Sequence, residues 1–362
     1  MTVSADDIPE EFRKKFKDLC EEIDFLKKFS KGANGVTLRG VNKLLGRPVV
    51  VKFYYYGDGV HVEPAILAKL ESPNILKVDT AGAIDAEYAY FVTRHCESGD
   101  LDDLLEGDKV SIREAVEVIK QVAYGGSYLH AQGYVHRDLK PSNIFQNVDG
   151  SFVIGDFGSV VRTQDTGYAN ALTKHSIIYR PPEDFDDSNT YFRQGDVYQI
   201  GICLYQVLGG YFPYEVAEWL TPKEKKTLDS LEGFDASIFA DQAIETRIKK
   251  GKILNLNTLP HCVPGKLKRI IKKATHLDKD KRYQTIADFI ADMNNADSLI
   301  VNWRFEDKTW TAHGHPRSYR YFNTANGIVI EKRKLAGSWR KERNLSLYSE
   351  QEAVSWIVGA IS

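Results

Sequence analysis

The stretch "YVHRDLKPSNIF", residues 134–145, carries the densest chemistry in the chain. It sets His136, Arg137, Asp138, Lys140, Ser142 and Asn143 between two short apolar runs. An ordinary connecting loop has no use for so many different polar groups. An aspartate in a partly enclosed site accepts a proton or aligns a hydroxyl nucleophile, and a lysine two residues on neutralises developing negative charge. An asparagine offers a neutral oxygen to a hard cation such as magnesium. That cation needs a further carboxylate, and "GDFGS" supplies Asp156 directly after a strand-like run. A lone aspartate would be read as a solvated loop carboxylate; the combination argues against that.

The rest of the chain sets the bounds. At 362 residues it exceeds one typical domain, so two or three cores are expected. With 43% apolar and 27% charged residues, it has the composition of a globular protein. A formal charge of −2 gives no global reason to bind nucleic acid or an anionic membrane. Cys20, Cys96, Cys203 and Cys262 lie far apart without a C-x-x-C pair, which fits a reducing compartment and a cytoplasmic location. The first residues are acidic and then mixed in charge, with no apolar leader. The most apolar stretch, 197–212, is broken by glutamines and glycines and reads as a buried helix, so no membrane partner is expected.

Along the chain, residues 8–22 read as helix and 24–56 as strands and tight turns, with "GRPVVVKFYYY" a buried strand. Residues 62–70 have helical spacing up to the breaker "SPN", and "YAYFVT" is another strand. From Ser111 the pattern becomes helical. Ser111 and Glu114 form a capping box, Ile112, Ala115, Val116, Ile119, Val122 and Ala123 make one apolar face, and Gly133 is the stop. After the polar loop come two short strands around Asp149-Gly150, then mostly helix to about residue 295. Thr221-Pro222-Lys223-Glu224 marks one clear helix start there.

"HRDLKPSN" followed by "DFG" resembles the catalytic and metal-binding loops of eukaryotic-type (Hanks-type) protein kinases. Lys140 is similar to the serine/threonine branch. The resemblance implies a bilobal α+β fold, with a β-rich N-lobe and an α-helical C-lobe. It implies ATP and Mg2+ as cofactors and a protein as substrate. In that frame Asp138 is the catalytic base, Lys140 contacts the γ-phosphate, and Asn143 and Asp156 hold magnesium. His136 packs under Phe157, and Arg137 stands ready for a phosphate on the activation segment, with Thr173 as its source and Ser176 on the substrate side.

"SKGANGVT" resembles the family's glycine-rich loop, with Gly32 and Gly35 at its second and third glycines, Ser30 for the first and Thr37 for the usual valine. Lys52 follows at the family's spacing as the phosphate anchor, paired with Glu63 in the next helix, while Val50 stands where alanine usually faces adenine. "FVTRHCESGDL" looks like the hinge, with Thr93 as gatekeeper, the backbone of Arg94 and Cys96 at adenine, and Asp100 at the ribose. "YRPPE", "GDVYQIG" and Arg282 match later motifs, with Glu183 and Arg282 implied as a buried ion pair. Residues 211–252 exceed a minimal kinase and read as an enlarged helical segment.

From about residue 299 the kinase pattern stops. "SYRYFNTANGIVIEKRK" looks like two strands, "SWRKERNLSLYS" like a third, and a capping box at Ser349 and Glu352 opens a last helix. The expected domains are a helical extension at 1–23, an N-lobe at 24–97, a C-lobe at 98–296 and a small α+β domain at 297–362. Four of five tryptophans lie in that last part, which argues for a tail docked on the C-lobe. Its basic and aromatic residues read as a solvated face or a protein contact, with nucleic acid as the lesser alternative. The resulting expectation is a serine/threonine kinase acting on proteins and on itself. Its rivals are a nucleotide-binding scaffold and a kinase whose tail is a nucleic-acid adaptor.

Overall fold

The alternating β-branched and aromatic runs of the first hundred residues fold as an antiparallel sheet in a computed structural model. It describes residues 3–29, 35–57, 67–107, 110–164, 167–170, 176–186, 190–325, 327–334, 337–343, 345, 347 and 349–361. Ser30, Gly32, Glu63 and Thr173 lie outside the described residues. Strands β1 (Ile23–Phe29), β2 (Gly35–Asn42), β3 (Arg47–Tyr55), β4 (Val78–Ala83) and β5 (Tyr88–Arg94) stack in the order β1-β2-β3-β5-β4. Gly35 is held at φ 142°, and a Cβ there would lie 1.8 Å from the Phe53 carbonyl oxygen. Only glycine allows β2 to approach β3 at that point.

Helix α1 (Glu10–Leu19) buries Phe12, Phe16 and Leu19. Phe12 stacks on Phe53 with ring centroids 5.3 Å apart, and Phe16 meets Phe25 at 4.9 Å. The opening helix is therefore part of the N-lobe core.

After the short helix α2 (Leu101–Glu106), the C-lobe is built on α3 (Ile112–Ala131) and α4 (Arg193–Val207), with α8 (Gly265–Ala274) and α9 (Ile286–Asn294) packed against them. Ser111 Oγ accepts from the Glu114 amide at 3.2 Å, and Glu114 Oε2 accepts from the Ser111 amide at 2.8 Å. Beyond the far end of α3, Gly133 sits at φ 82°. Ser111→Ala should cost about 1 kcal/mol of stability, read as a lower denaturant midpoint at unchanged slope. An unchanged midpoint would mean that the box contributes nothing.

Helix α4 is buried from Gly195 through Val207, so the most apolar stretch is a core helix. Among the described residues no helix is long and apolar enough to cross a membrane. The long segment after α4 forms α5 (Val216–Trp219), α6 (Pro222–Leu228) and α7 (Gly233–Lys249). Thr221 caps α6 as its sequence indicates. Arg247 of α7 and the Thr221 cap hold the Glu224 carboxyl down to about 2.

The tail holds more strands than the three expected. Strands β12 (Asn302–Glu306), β13 (Thr309–His313), β14 (Arg317–Thr324), β15 (Gly327–Lys334) and β16 (Arg340–Lys341) form one antiparallel sheet in sequence order. Between α3 and α4 lie the short strands β6 (Tyr134–Val135), β7 (Ile144–Gln146), β8 (Phe152–Ile154), β9 (Val161–Arg162), β10 (Tyr168–Asn170) and β11 (Thr190–Phe192). The unanticipated hairpin β12–β13 turns at Asp307 and Lys308, at φ 49° and 61°, the left-handed pair of a tight hairpin.

Helix α10 (Glu350–Ile361), opened by the expected Ser349–Glu352 box, buries Ala353, Val354 and Ile357 against the sheet. Trp303, 1% exposed, shares one continuous core with the C-lobe. Arg304 pairs with Glu114 at 2.6 Å, Lys120 with Asp297 at 2.5 Å, and Arg113 donates to the Ile300 carbonyl. The tail is docked, as its tryptophans suggest.

Candidate active site

The polar loop of 136–143 is fixed from below by α4. Asp196, fully buried, accepts from the amides of His136 and Arg137 at 2.9 Å each. It also accepts from His130 Nε2 at 2.8 Å and from the Tyr191 hydroxyl at 3.0 Å. Burial pushes this carboxyl up, but the bond and charge of His130 with the bonds from the loop outweigh it and leave it below the usual range. Gln199, one turn on, accepts from the Leu139 amide at 2.8 Å and donates to the Arg137 carbonyl at 2.9 Å. Sequence reasoning missed Gln199; the available signal was a glutamine one turn after Asp196 inside a mostly apolar run.

These bonds hold Arg137 at φ 72° and, across the loop, Asp156 sits at φ 57°. Left-handed backbone in non-glycine residues is strained and persists only where neighbours over-determine it. His136 Nδ1 accepts from the Asp138 amide at 3.3 Å, while its Nε2 donates to the Gly155 carbonyl at 2.9 Å. The Gly155 amide in turn donates to the Asn143 carbonyl at 2.9 Å. The catalytic-type loop and the "DFG" turn are thus bonded into one unit. Phe157 is buried with its ring 6.3 Å from both Phe91 and His136, and Leu67 is buried in the same core.

On this frame the polar side chains converge. Asp138, 7% exposed, receives Lys140 Nζ at 2.9 Å and Asn143 Nδ2 at 3.0 Å on the same carboxylate oxygen. Asn143 Nδ2 also donates to the Asp138 carbonyl at 2.7 Å, which leaves its amide oxygen as the atom for a cation. Lys52, buried on β3, pairs with Asp156. Burial pushes the Asp156 carboxyl up, but Lys52, Lys140 and the Gly158 amide outweigh burial and hold it below its usual value. A carboxylate kept ionised beside an amide oxygen suits magnesium, which retains waters and phosphate oxygens and needs few protein ligands.

A cavity of about 820 Å³ opens above these groups. It is lined by Thr37, Val50, Lys52, Thr93, Arg94, Cys96, Asp100, Asp138, Lys140, Asn143, Asp156 and Ser176. Phe29 and Phe145, not singled out from the sequence, add apolar surface for a planar base. Asp100 is already engaged as the N-cap of α2, accepting from the Asp103 amide at 3.0 Å, and burial pushes its carboxyl up. Burial also pushes the Cys96 thiol up, against a reactive thiolate.

Arg137 does not line this cavity. It is 1% exposed, lies 5.7 Å from the Tyr191 ring centroid, and sits where β10 pairs with β11 through Ala169 and Tyr191. Glu183 and Arg282 form the implied buried pair, two bonds of 2.7 and 2.6 Å. In the tail, Tyr319 and Tyr321 point into the core rather than into a surface patch.

A five-stranded lobe and a helical lobe, joined around a strained catalytic-type loop and a lysine–aspartate pair, define a protein kinase fold. Residues 23–293 match the protein kinase domain family, and the chain belongs to it. The chain is 26% identical over 294 residues to the probable serine/threonine-protein kinase PknB of Lactococcus lactis, covering 78% of this chain and 43% of that protein. It is 34% identical over 163 residues to the Raf homolog serine/threonine-protein kinase of Caenorhabditis elegans, 42% of this chain and 20% of that one. It is also 34% identical over 173 residues to 3-phosphoinositide-dependent protein kinase 1 of Arabidopsis thaliana, 44% and 35% of the two chains. The chain thus spans less than half the length of each of these relatives.

Proposed function

We propose that the chain is a serine/threonine protein kinase that moves the γ-phosphoryl of MgATP to hydroxyls of a protein substrate and of itself. The observation that carries this is the convergence of Lys52, Asp138, Lys140, Asn143 and Asp156 on one cavity. Phe29, Val50 and Phe145 enclose the base, with Thr93, Arg94 and Cys96 at the hinge edge and Asp100 at the ribose side. Lys52 orients the phosphates, as does the glycine-rich loop of Ser30, Gly32, Gly35 and Thr37, and Glu63 steadies Lys52. Asn143 and Asp156 hold magnesium, which supplies charge neutralisation on the phosphates when bound.

Asp138 accepts the hydroxyl proton as the new O–P bond forms and the bond to the leaving ADP oxygen breaks. Lys140 balances charge on the transferring group. Most of the catalysis is positioning. The presence of Ser176 in the lining of the same cavity supports its substrate-side reading. A phosphate on Thr173 is the proposed partner of the Arg137 guanidinium. Cytoplasmic action is part of the same reading, supported by four free cysteines.

Incubation with radiolabelled ATP, magnesium and a protein acceptor, followed by phosphoamino-acid analysis, tests this. Phosphoserine or phosphothreonine is expected. Phosphotyrosine alone, or label on small molecules only, would overturn the assignment.

A further inference from the structure

We propose that Gln206 and Tyr214 are positioning residues for the protein acceptor, fixing through Tyr179 the turn that walls the acceptor side of the active-site cavity. The proposal rests on the kinase reading above. Ser176 lines the cavity that also holds Asp138, and the chain turns directly after it. This is a single 3-10 turn, Ile177–Tyr179. The Tyr179 amide donates to the Ser176 carbonyl and the Arg180 amide to the Ile177 carbonyl, each at 3.1 Å. Bonds of this kind have poor geometry, and two of them do not orient a turn by themselves. The Tyr179 side chain, 2% exposed, ties it to the C-lobe.

Two kinds of contact do this. The Tyr179 ring packs on Phe212 with centroids 5.4 Å apart, and Phe212 meets Trp219 of α5 edge-on at 5.3 Å. Apolar burial stabilises the turn but is non-directional. Direction comes from a chain of hydrogen bonds. The Tyr179 hydroxyl donates to Gln206 Oε1 at 3.1 Å, and Gln206 Nε2 donates to the Tyr214 hydroxyl oxygen at 3.1 Å. The Tyr214 hydroxyl in turn donates to Asp102 Oδ1 of α2 at 2.5 Å.

The polarity of the chain is set at Asp102, because a carboxylate only accepts. Tyr214 gives its one proton there, so its oxygen accepts from the amide nitrogen of Gln206. The amide oxygen is then left to face Tyr179. Burial pushes both phenols up, so each keeps its proton near neutral pH. An amide, with one donor end and one acceptor end, is the side chain that joins two phenols in this order.

Gln206 is 6% exposed on α4, between the buried Tyr205 and Val207. The packing of α4 does not call for an amide at that point; the two phenols do. At the far end of the chain, α2 is capped by Asp100, which lines the same cavity as Ser176. The bonds therefore run from the acceptor-side turn to a helix anchored at the same site.

The test is steady-state transfer by the full chain to dephosphorylated casein and to the inactive Asp138→Asn chain, with acceptor and ATP varied separately. Tyr214 is 48% exposed, so Tyr214→Phe keeps the fold while breaking the chain of bonds. It should raise KM for the acceptor by about five- to tenfold, the effect of one directional bond. KM for ATP, and kcat at saturating acceptor, should stay within about twofold of wild type. Asp102→Asn keeps an acceptor oxygen for Tyr214 and should leave all three constants at the wild-type level. Gln206→Met should exceed the loss in Tyr214→Phe, since the buried Tyr179 hydroxyl is left without its acceptor. Hydrogen exchange adds a readout independent of activity: the Tyr179 and Arg180 amides should exchange faster in Tyr214→Phe, and those of α3 at the wild-type rate. Unchanged exchange in the turn, an unchanged acceptor KM, or a loss confined to kcat overturns the proposal alone. A wild-type chain that labels neither acceptor defeats the kinase reading and the proposal with it.

Discussion

Replacing Asp138 with asparagine should lower phosphoryl transfer by about 10²–10⁴-fold, the range for a positioned general base, while ATP affinity stays at the wild-type level. The substitution keeps the size of the side chain that Lys140 and Asn143 contact. In the proposed mechanism it removes the charge on the oxygen that takes the hydroxyl proton, a loss of about 3–5 kcal/mol from transition-state stabilisation. In the proposed binding mode ATP is held elsewhere, by Lys52, Asp156 and the apolar walls of the cavity, which all line the same space. Steady-state transfer and nucleotide titration, run on the same preparation, separate the two effects. Parallel loss of binding and transfer would show that Asp138 supports the fold of the loop; retained transfer would remove it from the chemistry.

Trp303→Ala should destabilise the whole chain by about 3–5 kcal/mol, the range for deleting a large buried ring. Trp303 is 1% exposed, meets Tyr321 edge-on at 6.1 Å and belongs to the core that runs from the C-lobe into the tail sheet. The surrounding ion pairs, Arg304–Glu114 and Lys120–Asp297, are partly exposed and add little by themselves. Denaturant unfolding should show a single transition at lower midpoint, with the kinase lobes and tail melting together. Two transitions in the wild-type chain would instead mean that the tail folds as a separate unit.

The parts of this molecule that were legible in the sequence are those where a local chemical rule acts. The loop of 136–143 was visible because its polar groups have no other use at that density. The start of α3 was visible because Ser111 and Glu114 satisfy each other, and the buried helix α4 because its run has no polar face. The hairpin β12–β13 was hidden because its turn is Asp307-Lys308, without the asparagine or glycine that usually announces left-handed backbone. The faces on which the tail's aromatic rings lie were hidden for a different reason. Composition counts Tyr319 and Tyr321 with Arg320, while the pleat of β14 sends them to opposite faces. Long-range contacts were equally out of reach: neither Gln199 beneath the loop nor Tyr191 over Arg137 is adjacent to its partner in sequence.

The most direct test of the central claim is intact-mass spectrometry of the chain and a serine/threonine-containing acceptor protein after incubation with ATP, with magnesium present and after its chelation. The account predicts phosphoryl groups added to the acceptor or the chain in magnesium and none after chelation. An unmodified mass in magnesium, or modification undiminished by chelation, would contradict it.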